Sequence, residues 1–248
     1  MQLNFETHGD QSRPSLLLVH GFLSSNAQWL PNIDALTRSF HLVTAELWGH
    51  GNSPLPQEPL SVPGYLDAFE SIRQSLGIDQ WGVIGQSYAA GLAIRYALRN
   101  PEVVTALLVT NSRSALGNLS ANGPKRSTQA NSEPRPDNRH LPIHPVYARR
   151  IPEPTLSALV AAADRISAEA IDRGGRLGAE LPAKHLLQDI RCPFVIANGI
   201  YEKSFQKDME EVKRLPGIRV ADLEGGHAVN IEAAAQFNQL ALAFFSGQ

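Results

Sequence analysis

Short apolar runs alternate along this chain with stretches in which apolar residues recur every three or four positions. Ser15 to Val19 and Val103 to Thr110 are continuous apolar runs, as expected of strands buried on both faces of a parallel sheet. Phe40 to Ala45, Trp81 to Ile84, Cys192 to Ala197 and Ile218 to Leu223 read as further strands. Leu3, Phe5 and Thr7 alternate with polar residues, which suits a half-exposed edge strand, and Gly9-Asp10 marks a turn. Between the strands lie helical patterns. One carries Trp29, Ile33 and Leu36, with Ser24 or Ser25 as its cap. Another opens at Ser61 and Pro63 and runs to about Leu76. A third carries Leu92, Ile94, Tyr96, Ala97 and Leu98. Later helices are expected over Thr155 to Ile171, closed by Gly174-Gly175, over Lys203 to Leu215 and over Ala228 to Phe245. Strands alternating with helices predict an α/β fold, a doubly wound, mostly parallel sheet flanked by helices.

The rhythm breaks after Thr110. Residues 111 to 154 are rich in proline, asparagine and serine and show no sustained period. Residues 1–110 and 189–248 are therefore read as one core and 111–188 as an insertion. Active sites in such sheets lie at the carboxyl ends of the strands, where an insertion becomes a lid.

Composition narrows the choices. Hydrophobic residues make up 43% of 248, enough for a sizeable core, and the formal net charge is −2. Nothing in that total points to a nucleic-acid or membrane partner. The single cysteine, Cys192, cannot form an internal disulfide and is expected to be buried and inert. The amino terminus lacks a basic, apolar leader, and no run is long enough to span a bilayer. A cytoplasmic protein acting on a small molecule is expected. The oligomeric state is left open.

The chemistry concentrates at Gly85-Gln-Ser-Tyr-Ala89. A strand stops at Gly85 and a helix starts near Tyr88, with Ser87 at the tip of the turn. Such a turn crowds the residues two before and two after the serine, so both must be small, and it presents the hydroxyl above the strand end. A serine hydroxyl needs a base and an orienting acid to become a nucleophile. His227, after Gly225-Gly226, follows the last strand. Glu202, in Asn198-Gly-Ile-Tyr-Glu202, follows the strand before it. The chain order serine, acid, histidine is one of three known for this constellation. Asp222 and Glu224 are the alternative acids. His20 and His50 read as hydrogen bonders that fix loops, and Trp29 and Trp48 as packing residues.

These motifs together resemble the α/β-hydrolase fold family. The resemblance is carried by His20-Gly21-Phe22 with Trp29 downstream, Gly49-His-Gly-Asn-Ser53, the serine turn, Gly199 to Glu202 and Gly226-His227. It covers residues 15–110 and 192–248 well and the insertion hardly at all. Two positions depart from the pattern: Glu202 and Glu46 stand where the family commonly has aspartate, and Glu46 is read as structural. The resemblance implies an oxyanion hole formed by the backbone N–H groups of Phe22 and Tyr88. It also implies a carboxylic-ester or thioester hydrolase with no cofactor and no metal. Carbon–carbon bond hydrolases and the lyase of menaquinone synthesis are an alternative on the same fold. The lyases usually have arginine where Leu92 stands. Haloalkane dehalogenases and epoxide hydrolases use aspartate at the position of Ser87. A non-catalytic ligand-binding module is a second alternative.

Charge adds one expectation. Arg113, Lys125, Arg126, Arg135, Arg139, Arg149 and Arg150 face only Glu133 and Asp137 within 113–152, a net +5. The remaining fifteen basic and twenty-two acidic residues give −7. A positive insertion on a negative body would draw in substrates bearing a carboxylate or phosphate. The alternative is a solvated loop whose charges play no part.

Overall fold

The computed structural model describes residues 2–117 and 151–247. Most of the positive insertion therefore lies outside the described residues, and of its seven basic side chains only Arg113 lies within them. Seven strands form one sheet: β1 (Phe5–His8), β2 (Ser15–Val19), β3 (His41–Ala45), β4 (Trp81–Gly85), β5 (Val104–Thr110), β6 (Phe194–Gly199) and β7 (Arg219–Leu223). Their order is β1-β3-β2-β4-β5-β6-β7; β1 pairs antiparallel with β3 and every other pairing is parallel. The expected doubly wound sheet is the one observed.

Alternation along β2 shows why its run carries no polar face. Leu17 and Val19 join a core with Tyr65, Phe69, Leu92 and Tyr96 on one side of the sheet. Leu16 and Leu18 join Trp29, Leu36, Phe237 and Phe244 on the other. The first side is covered by α2 (Val62–Ser75) and α3 (Tyr88–Arg99), the second by α1 (Leu30–Leu36) and α9 (Ala234–Phe245). The neighbouring strands β2 and β4 thus lead into helices on opposite faces. Their loops diverge and leave a crevice at the carboxyl edge, which is where Phe22 and Ser87 lie.

Several helix boundaries differ from the sequence pattern. Ser25, not Ser24, caps the turn before α1, accepting from Ala27 N at 3.2 Å. The single helix expected over Thr155–Ile171 is two, α5 (Glu153–Ala163) and α6 (Ala168–Leu177), because Ser167 caps a new helix by accepting from Ala170 N at 3.1 Å. Gly174 and Gly175 lie inside α6 rather than beyond it. The last helix is divided at Ala233 into α8 (Val229–Glu232) and α9. The strand expected to open at Cys192 starts at Phe194, and Cys192 is half-buried rather than sealed, its thiol pKa raised by burial. Glu46 is structural, as expected. Its carboxylate accepts from Asn26 N, Asn52 N and Asn4 Nδ2 and so binds three loops together. Among the described residues no helix is long and apolar enough to cross a membrane.

Helix α2 is tied to α3 by Glu70. It accepts from Arg73 at 2.6 Å, from the Tyr96 hydroxyl at 2.9 Å and from Gln74 at 2.8 Å. Chiefly the Arg73 guanidinium holds the Glu70 carboxyl down at about 2, from an ordinary 4.5. A depressed carboxylate stabilises the fold above its unfolded pKa and loses that contribution as pH falls through the folded value. Glu70→Gln is therefore expected to cost about 2 kcal/mol at neutral pH. The difference from wild type should shrink as pH falls from about 4.5 through about 2, as read by urea unfolding at a series of pH values.

Candidate active site

The site starts from a backbone constraint. Ser87 has φ 50° and ψ −109°, a conformation side chains rarely adopt, at a cost of about 1–3 kcal/mol. The bend that requires it is too tight for larger neighbours. A Cβ on Gly85 would lie 2.7 Å from Ala89 O and 2.7 Å from Ala93 Cβ, and Ala89 is fully buried. The Thr110 hydroxyl at the end of β5 accepts from Ser87 N at 3.0 Å and fixes the turn from the adjacent strand.

The three residues singled out by chain order come together. Ser87 Oγ lies 2.8 Å from His227 Nε2, and His227 Nδ1 lies 3.0 Å from Glu202 Oε2. With Nδ1–H donating to the Glu202 carboxylate, Nε2 is left to accept from the serine hydroxyl. The side chains of His227 and Glu202 are 20% and 18% exposed, so water reaches the pair only in part. Glu202 is the carboxylate that faces His227, and the alternative acids lie elsewhere. Asp222 accepts from Asn198 Nδ2 and pairs with Lys213, while Glu224 faces Gln236. Replacing aspartate with the longer glutamate brings a partner with it: Asn111, just beyond β5, donates from Nδ2 to Glu202 Oε2 and is wholly buried.

Three contributors were not singled out in the sequence. Asn111 is the first. Gln86 donates to His227 O at 3.2 Å, across a gap that Gly21 leaves open: a Cβ there would lie 2.0 Å from Gln86 Oε1. Glu232 accepts from Gly226 N at 2.7 Å and from Ala228 N at 3.1 Å, so one carboxylate grips the backbone on both sides of His227. Burial raises its pKa. A glycine-glycine-histidine loop followed five residues later by a glutamate is the sequence trace of that clamp, though nothing in the pattern says the chain turns back on itself.

Of the expected oxyanion donors, Phe22 N–H lies in the loop after β2 and Tyr88 N–H is the first of α3. Among the described residues neither donates to another protein group. The loop histidines behave as expected. His20 donates from Nδ1 to Gly21 O at 2.7 Å and accepts from Leu47 N at 3.1 Å; burial lowers its pKa to about 3. His50 donates to Trp48 O at 3.0 Å and accepts from Leu23 N at 3.2 Å, its pKa also lowered by burial. Both therefore remain neutral spacers. Trp29 and Trp48 are buried in packing. Among the described residues no group of three or more metal-ligating side chains is assembled.

A nucleophile-type serine on a strand–helix bend, with a histidine and a carboxylate from the two following strand ends, defines an α/β-hydrolase site. Residues 14–154 match the family model described as alpha/beta hydrolase fold. The chain belongs to the α/β-hydrolase fold family. An uncharacterized protein of Mycobacterium tuberculosis is 28% identical over 101 residues, 41% of this chain and 30% of that protein. The chain thus spans under a third of the length of the first curated relatives it matches. Carboxylesterase YbfK of Bacillus subtilis is 22% identical over 251 residues, covering 96% of this chain and 82% of the relative. Among solved structures, a hydrolase from Pseudomonas aeruginosa superposes with a TM-score of 0.80 at 20% identity, over 98% of this chain and 94% of that one.

The strain at Ser87 is measurable. Ser87→Gly and Ser87→Ala both remove the hydroxyl, but only glycine adopts this φ and ψ at no steric cost. Ser87→Gly is expected to be the more stable by about 1 kcal/mol, relief of strain outweighing the extra freedom of the unfolded chain. Paired urea denaturation curves with equal slopes would read it.

Proposed function

We propose that this protein hydrolyses carboxylic esters through an acyl-enzyme on Ser87. The observation that carries the reading is the hydrogen-bonded chain from Ser87 Oγ through His227 to Glu202, at 2.8 and 3.0 Å. Ser87 Oγ attacks the carbonyl carbon while its proton passes to His227 Nε2. The charge that develops on the carbonyl oxygen is met by the N–H groups of Phe22 and Tyr88. Each is worth roughly 3 kcal/mol if well placed. Collapse of the tetrahedral intermediate breaks the bond to the leaving group, which takes the proton from His227. Water then gives a proton to His227 and attacks the acyl carbon, releasing the acid and restoring the serine. Glu202 holds Nδ1–H throughout and balances the transient imidazolium. The likeness to a carboxylesterase over nearly the whole chain supports an ester as the substrate. A thioester follows the same course, the sulfur leaving as a thiol with the proton from His227.

The fine specificity belongs to this proposal as well. The excess of Arg and Lys over 113–152 favours a small substrate bearing a carboxylate or phosphate. Ser87→Ala is expected to lower turnover of p-nitrophenyl acetate or butyrate by at least about a thousandfold while the protein stays folded; unchanged turnover would reject the nucleophile. For the charge, kcat/KM for an anionic ester should fall as salt rises, while that for a neutral ester of the same acyl chain stays level. Parallel curves for the two esters would remove the insertion's electrostatic role.

A further inference from the structure

Helix α6 meets the site through a row of small residues one turn apart. Ala170 abuts the loop after β3, so that a Cβ on Gly49 would lie 2.7 Å from Ala170 Cβ. One turn on, Gly174 lies under the Phe22 ring, and a Cβ there would come within 2.5 Å of Phe22 Cε2. One turn further, at the end of the helix, a Cβ on Gly178 would lie 3.6 Å from Tyr88 Cε2. The Tyr88 hydroxyl donates to Gly174 O at 3.0 Å. The two rings stack on each other, with centroids 5.2 Å apart and planes 22° from parallel. Phe22 and Tyr88 are the same two residues whose main-chain N–H groups face the reacting carbonyl in the proposed mechanism. One lies in the loop after β2 and the other opens α3, with no strand pairing or shared helix holding one to the other. Their rings, and the helix beneath them, supply that tie.

We infer that α6 is the buttress of the oxyanion hole and that Gly174 is a positioning residue, setting the separation of the Phe22 and Tyr88 N–H groups through the stacked rings. This inference rests on the ester-hydrolase reading of the site. It accounts for a glycine in a helix interior, where alanine is the better helix former. The adjacent Gly175 provides an internal control: nothing lies within 4 Å of where its Cβ would be. It shares the helix and the propensity cost but not the contact.

The test compares Gly174→Ala, Gly175→Ala and Tyr88→Phe in the full-length protein, with p-nitrophenyl butyrate as substrate and trifluoroacetophenone as inhibitor. Ser87 adds to the ketone carbon and its proton goes to His227, leaving an oxyanion that needs the same two donors as the transition state. Turnover by the wild type, absent in Ser87→Ala, first establishes the ester reading; without it that reading falls and this inference with it. Given that turnover, Gly174→Ala is expected to lose about ten- to a hundredfold in kcat with KM changed less than about threefold, because removing a donor outright costs about a hundred- to a thousandfold. The inhibition constant should rise in step with the loss in kcat/KM. Gly175→Ala should keep wild-type kinetics and melt higher. Tyr88→Phe, which deletes only the bond to Gly174 O, should lose kcat severalfold. If Gly174→Ala does not fold, Tyr88→Phe decides in the same way. Wild-type kcat in whichever variant decides, or a loss of kcat unmatched by weaker ketone inhibition, would overturn the buttress while leaving the ester reading intact.

Discussion

The arrangement depends on one bend. Between β4 and α3 the chain reverses so sharply that Gly85 and Ala93 touch, and Ser87 sits at a positive φ as the consequence. A residue in that conformation is held only if its surroundings over-determine it. Here β4 is hydrogen-bonded on both sides by β2 and β5, Thr110 holds the serine's own N–H, and α3 is buried along most of its length. The energy of the sheet core maintains the strain. In that conformation the serine precedes the first turn of α3, and its hydroxyl lies 2.8 Å from His227 Nε2.

The histidine is held by different means. His227 lies on a loop, and a loop fixes a side chain only if its backbone is tied. Glu232 grips the peptides on either side, Gln86 reaches the carbonyl of the histidine itself, and Glu202 takes the ring. Glu202 is in turn held by Asn111, and its own loop is closed by Tyr201 N donating to Gly225 O at 2.9 Å. Gly199 allows the two loops to approach: a Cβ there would lie 1.9 Å from Gly226 O. The loops after β6 and β7 thus brace each other, and the imidazole is held by their contact.

Residues whose demands are local were legible in the sequence. Ser87 was visible because its bend forbids anything but small neighbours, and His227 and Glu202 because each follows a recognisable strand. The strands of the sheet were visible because burial on two faces leaves no room for polar residues. Asn111, Gln86 and Glu232 were not, since the first two act on groups 91 and 141 residues away and the third on a backbone that curls back, and no periodicity encodes that. Asn111 reaches Glu202 only because β5 pairs with β6 in a register that places Thr110 beside Ala197. The reading of α6 went astray for a related reason. Paired glycines signal a helix end when only local conformation is weighed, yet Gly174 is small because an aromatic ring from residue 22 occupies the space.

The order in which these parts occur along the chain has a consequence for biosynthesis. Residues 14–154, the part most plainly of the family, contain Ser87 and both Phe22 and Tyr88 but neither Glu202 nor His227. A nascent chain emerging from the ribosome therefore contains its serine long before the imidazole that faces it has been made. The three side chains meet only when β6 and β7 have added to the sheet edge, so the bend around Ser87 is made well before the constellation it belongs to.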